Sequence, residues 1–580
     1  MAHDSTANGT SGDQAPSPDR SPSAGPAVAV LAVLAAAAAV ALGWASPHGL
    51  GLSPDSAVYL SAARNVTEGQ GLTAPAPQAP DAPLTHYPPL YPLSVAVLRL
   101  AGLDTLSAAR WLHVGLLGLN TFLFGWLIQR HTSSTWASAL AACVFALSYS
   151  LLRVHAFAWS EPTFLACLLG GWLALSYACN GGRVGWLLAA SALTAKAVLA
   201  RYVGVVQAGT ALLAVLLLWP GSWRRRALAA ATAVSLPALA LAAWMLRNRL
   251  LTDTATNRPL GFHPPGRAYF GMAWATLKGW FTYPVPAELP WTEIRVLAFL
   301  ALLAAAGLLW ARWRRATDRP ARPAEASGKS PPSRPAGAPA ARLDARPLAA
   351  VLAIFAVAYA LFHLLAVTVF DAHAKPDTRQ MMPLYVALLA LVALAVTAAA
   401  WRAPLRWPRT VLATLAAVVV LTLAAGGYSW LSLVRQHGMG YNSRTWRHSQ
   451  TLSRVRDLPP DRLIYTNGQD VLALLAGRDT YALPRHTDVV AGQLNPDFRP
   501  QCQQMIDRLR RDDGLLVYLL PLAWRSYLPS IETVAQMYPW PAHEFYDDGV
   551  ILYTAVPAHA QPATAPAESA AGSTRPAARR

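Results

Sequence analysis

Long apolar stretches separated by short polar ones run through most of the chain. Runs that fit the roughly 20 residues needed to cross a bilayer fall at about 27–46, 107–129, 133–152, 157–178, 184–200, 203–220, 227–246, 293–312, 347–370, 381–400 and 410–430, about eleven in all. Lys196 and Arg201 interrupt the pair 184–200 and 203–220, which reads as a hairpin with its tip at Arg201. Residues 1–26 are rich in Ser, Pro, Gly and Asp and predict a disordered tail. No basic segment precedes the first apolar run, so 27–46 reads as a retained transmembrane helix rather than a cleaved signal. The polar loop 47–106 holds a short predicted helix, with Ser53 as N-cap, Pro54 at its first position, Asp55 in its first turn and Gly69 and Gly71 as its stop. The same loop continues through Thr85-His-Tyr-Pro-Pro-Leu-Tyr-Pro92 into a 14-residue apolar piece too short to span comfortably, which suits an interfacial or re-entrant segment.

Two later stretches break the membrane pattern. Segment 313–346 is rich in Pro, Ala and Arg and reads as a disordered linker. Over 431–556 short strand-like runs at Leu463–Thr466, Asp479–Leu483, Gly514–Leu520 and Val550–Thr554 alternate with helical patterns at Asp470–Ala476 and Pro500–Arg511. That alternation predicts a small α/β domain outside the membrane, followed by a disordered tail at 557–580. The expected architecture is therefore an all-α polytopic membrane protein with a small C-terminal extracytoplasmic α/β domain.

Composition agrees: 54% of residues are hydrophobic and only 13% charged. The net charge of +18 would suit nucleic acid, but the basic residues are scattered between apolar spans where the positive-inside rule wants them. A cytoplasmic N-terminus puts Arg130, Arg183, Arg224 to Arg226, the Arg-rich linker, Arg402, Arg406 and Arg409 on the inner side. Nucleic acid is excluded as a partner on this ground. Cys143, Cys167 and Cys179 lie in spans and Cys502 stands alone, so the sequence offers neither a disulfide framework nor metal-site spacing.

The same topology gathers charged residues on the outer side: Asp55, Arg64, His86, Arg153, His155, Glu161, Arg201, Arg247, Arg249, Asp371, Lys375, Asp377 and Arg379. Charge at membrane depth is costly and marks function by default. Arginines interleaved with carboxylates there predict a mixed-charge pocket suited to an anionic phosphate. Snorkelling and pairing with neighbours are the structural alternative for each arginine, and simple capping is the alternative for Asp55 and for Glu161 of Ser160-Glu-Pro162. His86 and Tyr87 precede a rigid Pro-Pro turn, while Tyr269, Trp274, Trp280 and Trp291 offer either sugar-stacking faces or a membrane belt.

An early outer-loop Asp on a short helix, a following Tyr-Pro-Pro-Leu-Tyr-Pro and a second acid in Ser-Glu-Pro opening a later span together resemble the GT-C glycosyltransferases. They are most similar to the family-39 protein mannosyltransferase and aminoarabinose transferase group. Arg201-Tyr-Val-Gly204, Trp244-Met-Leu-Arg-Asn248 and Asp377-Thr-Arg-Gln-Met-Met-Pro-Leu-Tyr385 resemble pieces that recur in its bacterial members. The resemblance covers about residues 27–430. It departs where this chain has Asp55-Ser56 instead of an acidic pair, and Tyr87 where a Lys often stands. It implies a polyprenyl-phosphate sugar donor and a hydroxyl acceptor on a lipid, glycan or protein at the outer face of the bilayer. Asp55 would be the base, with Glu161 orienting the acceptor or sharing a proton. The implied substrate-binding set is Arg64, His86, Tyr87, Arg201, Tyr202, Arg247, Asp377 and Arg379. No metal or cofactor is expected, although paired carboxylates leave room for a divalent ion. A transporter or flippase, and a non-catalytic envelope scaffold, are the alternatives; repeated halves or paired broken helices would favour the former, and neither occurs in this sequence.

Overall fold

The computed structural model describes residues 25–76, 79–256, 260–282, 343–371, 374–402, 407–487 and 493–556. The predicted span 293–312, most of the linker, Trp291 and both tails lie outside the described residues. Every other expected span coincides with a helix. In chain order these are α1 (Gly25–Ala45), the loop helices α2 (Pro54–Thr67) and α3 (Leu90–Leu100), then α4 (Thr105–Thr132), α5 (Thr135–Leu147), α6 (Tyr149–Ala156), α7 (Glu161–Gly181), α8 (Val184–Ala200), α9 (Val205–Leu218), α10 (Trp223–Thr252), α11 (Arg267–Thr282), α12 (Ala345–Leu365), α13 (Met382–Arg402) and α14 (Trp407–His437). Among the described residues six helical segments are long and apolar enough to cross a membrane, and seven if the α5–α6 pair, bent by 56°, is one span. The chain is a multi-pass membrane protein.

Three expected spans are short apolar helices: α8, the Tyr202–Leu218 stretch and the apolar part of α13. Each abuts a turn that carries a guanidinium, Arg201 or Arg379. Charge held at that depth leaves less apolar chain for the lipid.

The bundle is ordered by burial. The α7 span is 78% buried and forms the centre, whereas those of α1 (22%), α10 (28%) and α14 (28%) present most of their surface outward. Lipid tails are as apolar as leucine, so close packing rather than hydrophobicity holds such helices together. Gly118 shows the device: a Cβ there would stand 3.0 Å from the Ala35 carbonyl oxygen, so its absence lets α4 lie directly on α1.

Inside the bundle a ladder of polar groups is hydrogen-bonded from segment to segment. His113 Nδ1 and His155 Nδ1 each face a backbone carbonyl, that of His155 at 2.9 Å and that of Leu151 at 2.7 Å. A carbonyl can only accept, so both Nδ1 atoms carry the proton and both Nε2 atoms accept. The donors are Tyr91 Oη to His113 at 2.9 Å and Asn120 Nδ2 to His155 at 3.0 Å. Asn120 Nδ2 also donates to the Pro162 carbonyl at 3.0 Å, which ties the start of α7 to α4 and α6.

At one end of the bundle an extended strip, 49–53, is laid between two other segments. Gly51 N donates to Ala156 O (2.8 Å) and Ala158 N to Gly51 O (2.9 Å), while Tyr441 N donates to Leu52 O (2.9 Å). Gly440 has φ +56°, and a Cβ on it would collide with the Leu52 carbonyl. Gly440→Ala should therefore lower stability by about 1–3 kcal/mol, a strained backbone plus a clash, read as a fall in the melting temperature of the purified protein. Ala substituted at exposed Gly185, which has no neighbour within 4 Å, is the control.

Beyond α14 the chain forms a five-stranded sheet in the order β4-β3-β5-β7-β6. Its strands are β3 (Ile464–Thr466), β4 (Tyr481–Ala482), β5 (Leu515–Leu519), β6 (Ala542–Tyr546) and β7 (Gly549–Tyr553); the hairpin β1 (Thr73–Ala76) with β2 (Ala79–Pro83) belongs to the loop after α2. β3 is parallel to β4 and β5, and β7 is antiparallel to β5 and β6. The helices α15 (Gln450–Asp457) and α16 (Phe498–Arg511) accompany it. β6 was not expected from its sequence, because its alternation is broken by His543 and Glu544.

Glu544 is there for a reason. Arg454 of α15 grips it through both Nε (2.9 Å) and Nη2 (3.0 Å), and Tyr546 and Tyr553 donate to it. Burial pushes its carboxyl up, but these donors outweigh that and hold it down at about 2. A depressed carboxyl contributes stability that is complete above its unfolded value near 4.5 and is lost as pH falls toward about 2. The difference in melting temperature between wild type and Glu544→Gln should accordingly shrink as pH is lowered from about 5 through that window.

Candidate active site

The local sequence around Asp55 makes a well-capped helix start. Ser56 N donates to Ser53 Oγ at 3.4 Å and Ser53 N donates to Ser56 Oγ at 3.1 Å, a reciprocal box. Pro54 supplies the first helical φ. Asp55 is left with its carboxylate free to turn outward. The capping residue is held from the other side as well, since Trp159 Nε1 donates to Ser53 Oγ at 2.8 Å. The paired strips 49–53 and 156–159 thus bring α2 and the start of α7 together, and Asp55 with Glu161.

Four charges interlock there. Arg379 Nη1 donates to Asp55 Oδ2 at 2.5 Å, and Arg379 Nε donates to Glu161 Oε1. Arg201 Nη1 donates to the same Glu161 oxygen. Tyr87 Oη donates to the other Asp55 oxygen at 2.6 Å. The Arg379 guanidinium lies over the Trp159 ring, 4.3 Å from its centroid. Glu161 is 1% exposed and Asp55 25% exposed, with both arginines at 19%. The pair of acids is therefore not equivalent: Glu161 is an internal anchor and Asp55 is partly exposed. Burial raises the Asp55 carboxyl, yet the Arg379 guanidinium and the Tyr87 hydroxyl more than offset it, and the group sits below its ordinary value. The same neighbourhood drives the Tyr87 hydroxyl well above its ordinary value, first by burial and then by the Asp55 charge, so Tyr87 keeps its proton.

The structure sorts the predicted residues into three groups. Asp55, Glu161, Arg201, Arg379 and Tyr87 form the cluster, with the His86 ring edge-on to Tyr87 at 4.7 Å. Tyr202 and Arg247 hold the loop that carries Tyr87: Tyr202 Oη donates to Thr85 O at 3.0 Å and Arg247 Nη1 to Leu84 O at 2.8 Å. Trp244 Nε1 donates to Tyr202 Oη at 3.0 Å and braces it. Arg64 and Asp377 lie apart from the four charges. Arg64 is at the far end of α2 near Glu68 and Asn65, and Asp377 Oδ1 accepts from Gln380 N at 2.8 Å, capping the turn before α13. Among the aromatics of the large loop, Tyr269 Oη pairs with His363 Nδ1 at 2.7 Å and Trp280 is buried with its ring centroid 5.0 Å from that of Tyr385.

Sequence reasoning missed Tyr59, Tyr91, His113 and Trp159. Tyr59 packs edge-on to both Tyr87 and Tyr91, and its hydroxyl meets Ser160 Oγ at 3.3 Å. A tyrosine one turn after Asp55 on the same helix was a readable signal. His113 was not readable, since its role depends on the α4–α6 contact. Among the described residues no group of three His, Cys, Asp or Glu side chains could hold a metal ion; between the two acids stands a guanidinium.

A helical bundle whose first loop carries a carboxylate on a short helix, capped at that end by a small α/β domain, is the fold expected from the resemblance to the GT-C glycosyltransferases, and solved structures share it. The solved structures it resembles are specific. ArnT from Cupriavidus metallidurans bound to undecaprenyl phosphate matches with a TM-score of 0.55 and 15% identity over 92% of this chain and 98% of that one. ArnT from the same organism in the apo state gives 0.56 and 15%, over 90% and 97%. The archaeal oligosaccharyltransferase AglB from Archaeoglobus fulgidus, in complex with an inhibitory peptide and a dolichol-phosphate, gives 0.50 and 12%, over 92% and 75%. No protein-family model and no curated protein matches the chain. At such identities the likeness is one of fold.

Proposed function

We propose that this protein is a membrane glycosyltransferase that moves a sugar from a polyprenyl-phosphate donor to a hydroxyl acceptor at the outer face of the bilayer. The observation that carries the reading is the four-charge cluster, with one carboxylate buried as an anchor and the other partly exposed. ArnT and AglB, which share the fold, were each solved with a polyprenyl phosphate, and that supports the donor class.

Asp55 takes the proton of the acceptor hydroxyl. The hydroxyl oxygen bonds to the anomeric carbon as the bond from that carbon to the phosphate oxygen breaks, and the phosphate leaves with the electron pair. Arg201 and Arg379 stabilise the charge gathering on its oxygens, a task for which planar guanidinium forks are suited. One base and in-line displacement give inversion at the anomeric carbon. Glu161 positions both guanidiniums; with Arg379 between the acids, a proton does not pass directly from one to the other. His86 lies on the same loop as Tyr87, its ring edge-on to it, while Tyr202 and Arg247 set that loop. In this reading the N-terminus is cytoplasmic and the C-terminal domain extracytoplasmic, because the opposite end of the bundle carries Arg130, Arg183 and Arg346.

Envelope glycans of a strain lacking the gene, compared by mass spectrometry with the same strain given the gene back, test the function. Loss and restoration of one sugar identify the transfer and its donor. Unchanged glycans with a lipid-linked sugar redistributed between leaflets would mean a transporter.

A further inference from the structure

We infer that the C-terminal domain carries a second binding site, for an anionic oligosaccharide, at the β4 edge of its sheet. The cavity there measures about 950 Å³ and includes Ala76 of the hairpin that follows α2 in its wall. That is the upper end of the range for specific small-ligand sites, about 300–1,000 Å³. The inference stands apart from the transferase reading, because it concerns binding at a place remote in sequence from Asp55 and is read without any turnover.

The chemistry of the walls names the ligand class. Tyr465 and Tyr481 are register partners on parallel strands, so they emerge on one face; their rings stack with centroids 5.4 Å apart. Arg508 of α16 lies over the Tyr481 ring at 4.2 Å and donates Nη2 to its hydroxyl at 3.0 Å, which fixes the guanidinium before any ligand arrives. Arg485 and Arg511 stand on the rim, and among the described residues that line the cavity none is a carboxylate. Asp512 is shared by Arg508 at 3.8 Å and Arg511 at 3.7 Å at exposed positions, where an ion pair is worth little. The site thus holds excess positive charge on a pre-organised fork, the signature of a carboxylate or phosphate ligand. Gln504 adds an amide that both donates and accepts, as hydroxyl-rich ligands require. A peptide adding to the sheet is disfavoured: β4 has two residues, and Pro484, two positions beyond it, lacks the N–H donor. Aromatic rings, an amide and excess guanidinium charge together fit a sugar acid or sugar phosphate.

The test is calorimetric titration of the full-length protein in detergent with three probes: trigalacturonate, phosphorylated mannotriose and neutral mannotriose. We expect saturable binding of at least one anionic probe, at least tenfold tighter than the neutral one. Arg508→Gln should weaken it tenfold or more, and Arg511→Glu, at an exposed position that folding does not depend on, should weaken it in the same direction. Asp55→Asn should leave it unchanged. Failure of both anionic probes overturns the inference, as does binding that survives both arginine variants. Inorganic phosphate binding as tightly as phosphorylated mannotriose would reduce the site to a phosphate site, and equal competition by phosphatidylglycerol vesicles would make it a lipid surface; either outcome also overturns it.

Discussion

Asp55→Asn should abolish glycan transfer, with a loss of roughly 10²–10⁴-fold, while the protein inserts and folds normally. The substitution is nearly isosteric. An Asn oxygen can still accept from Arg379, and its amide can donate to the Tyr87 hydroxyl, so both contacts survive in form. What disappears is the ability to take a proton. Complementation of the null strain, with membrane abundance of both proteins verified, measures this directly: if the Asp55→Asn variant restores the missing sugar, Asp55 is a helix cap and the catalytic assignment fails. The pH dependence follows from the environment of the base. Asp55 must be ionised to act, and Arg379 and Tyr87 keep it ionised below the ordinary carboxylate value of 3.8. Transfer should therefore show no acidic fall attributable to this group until pH drops below that value. A base so acidic is weak, which suits a reaction whose hydroxyl proton becomes acidic only as its oxygen bonds to a cation-like anomeric carbon.

Arg379→Lys should cost about 10²–10³-fold in transfer, almost as much as Arg379→Ala, although the charge is retained. Among the described residues Arg379 is the one side chain that donates to both acids, through Nη1 to Asp55 and Nε to Glu161, and its guanidinium lies over Trp159. A lysine has a single point charge and no plane, so it can neither span the two carboxylates nor stack. The alanine variant carries a second effect. It leaves Glu161 at 1% exposure with Arg201 as its remaining guanidinium, and breaking a buried ionic network costs about 3–5 kcal/mol. Lower membrane abundance is expected for alanine and not for lysine. Arg224→Ala, at an exposed position at the start of α10, should change neither transfer nor abundance. Equal and small effects at positions 379 and 224 would overturn the assignment of the two ends of the bundle.

The membrane spans were legible because burial in lipid imposes composition directly. A segment such as 157–178 must be apolar over nearly all of its length, with Glu161 only near its outer edge, and α7 runs through it from Glu161. The helix start at Asp55 was legible for a related reason: Ser53 and Ser56 satisfy each other's backbone N–H groups locally, and Pro54 fits the first helical position. Sidedness brought Asp55, Glu161, Arg201 and Arg379 to one end of the bundle. It also brought Arg64 and Asp377, and alternation of spans cannot separate an arginine that faces the opening from one at the far end of the same helix.

That separation belongs to the tertiary structure. Residues 51 and 157, or 52 and 440, are far apart in the chain, and their pairing rests on backbone hydrogen bonds that carry no side-chain code. Glycines leave the trace in the sequence: a Cβ on Gly440 would meet the Leu52 carbonyl, and one on Gly51 would meet the Phe157 ring and Met439. Once the strips pair, geometry assigns the roles: Glu161 is buried and anchors two guanidiniums, Asp55 stays partly exposed, and Tyr202 and Arg247 turn to the carbonyls of the Tyr87 loop. The sequence by itself determined the membrane class, the helix under Asp55 and the side on which charge collects, because each follows from local burial and local hydrogen bonding. Which charges meet, and which of the two acids is left partly exposed, was decided by packing between segments hundreds of residues apart.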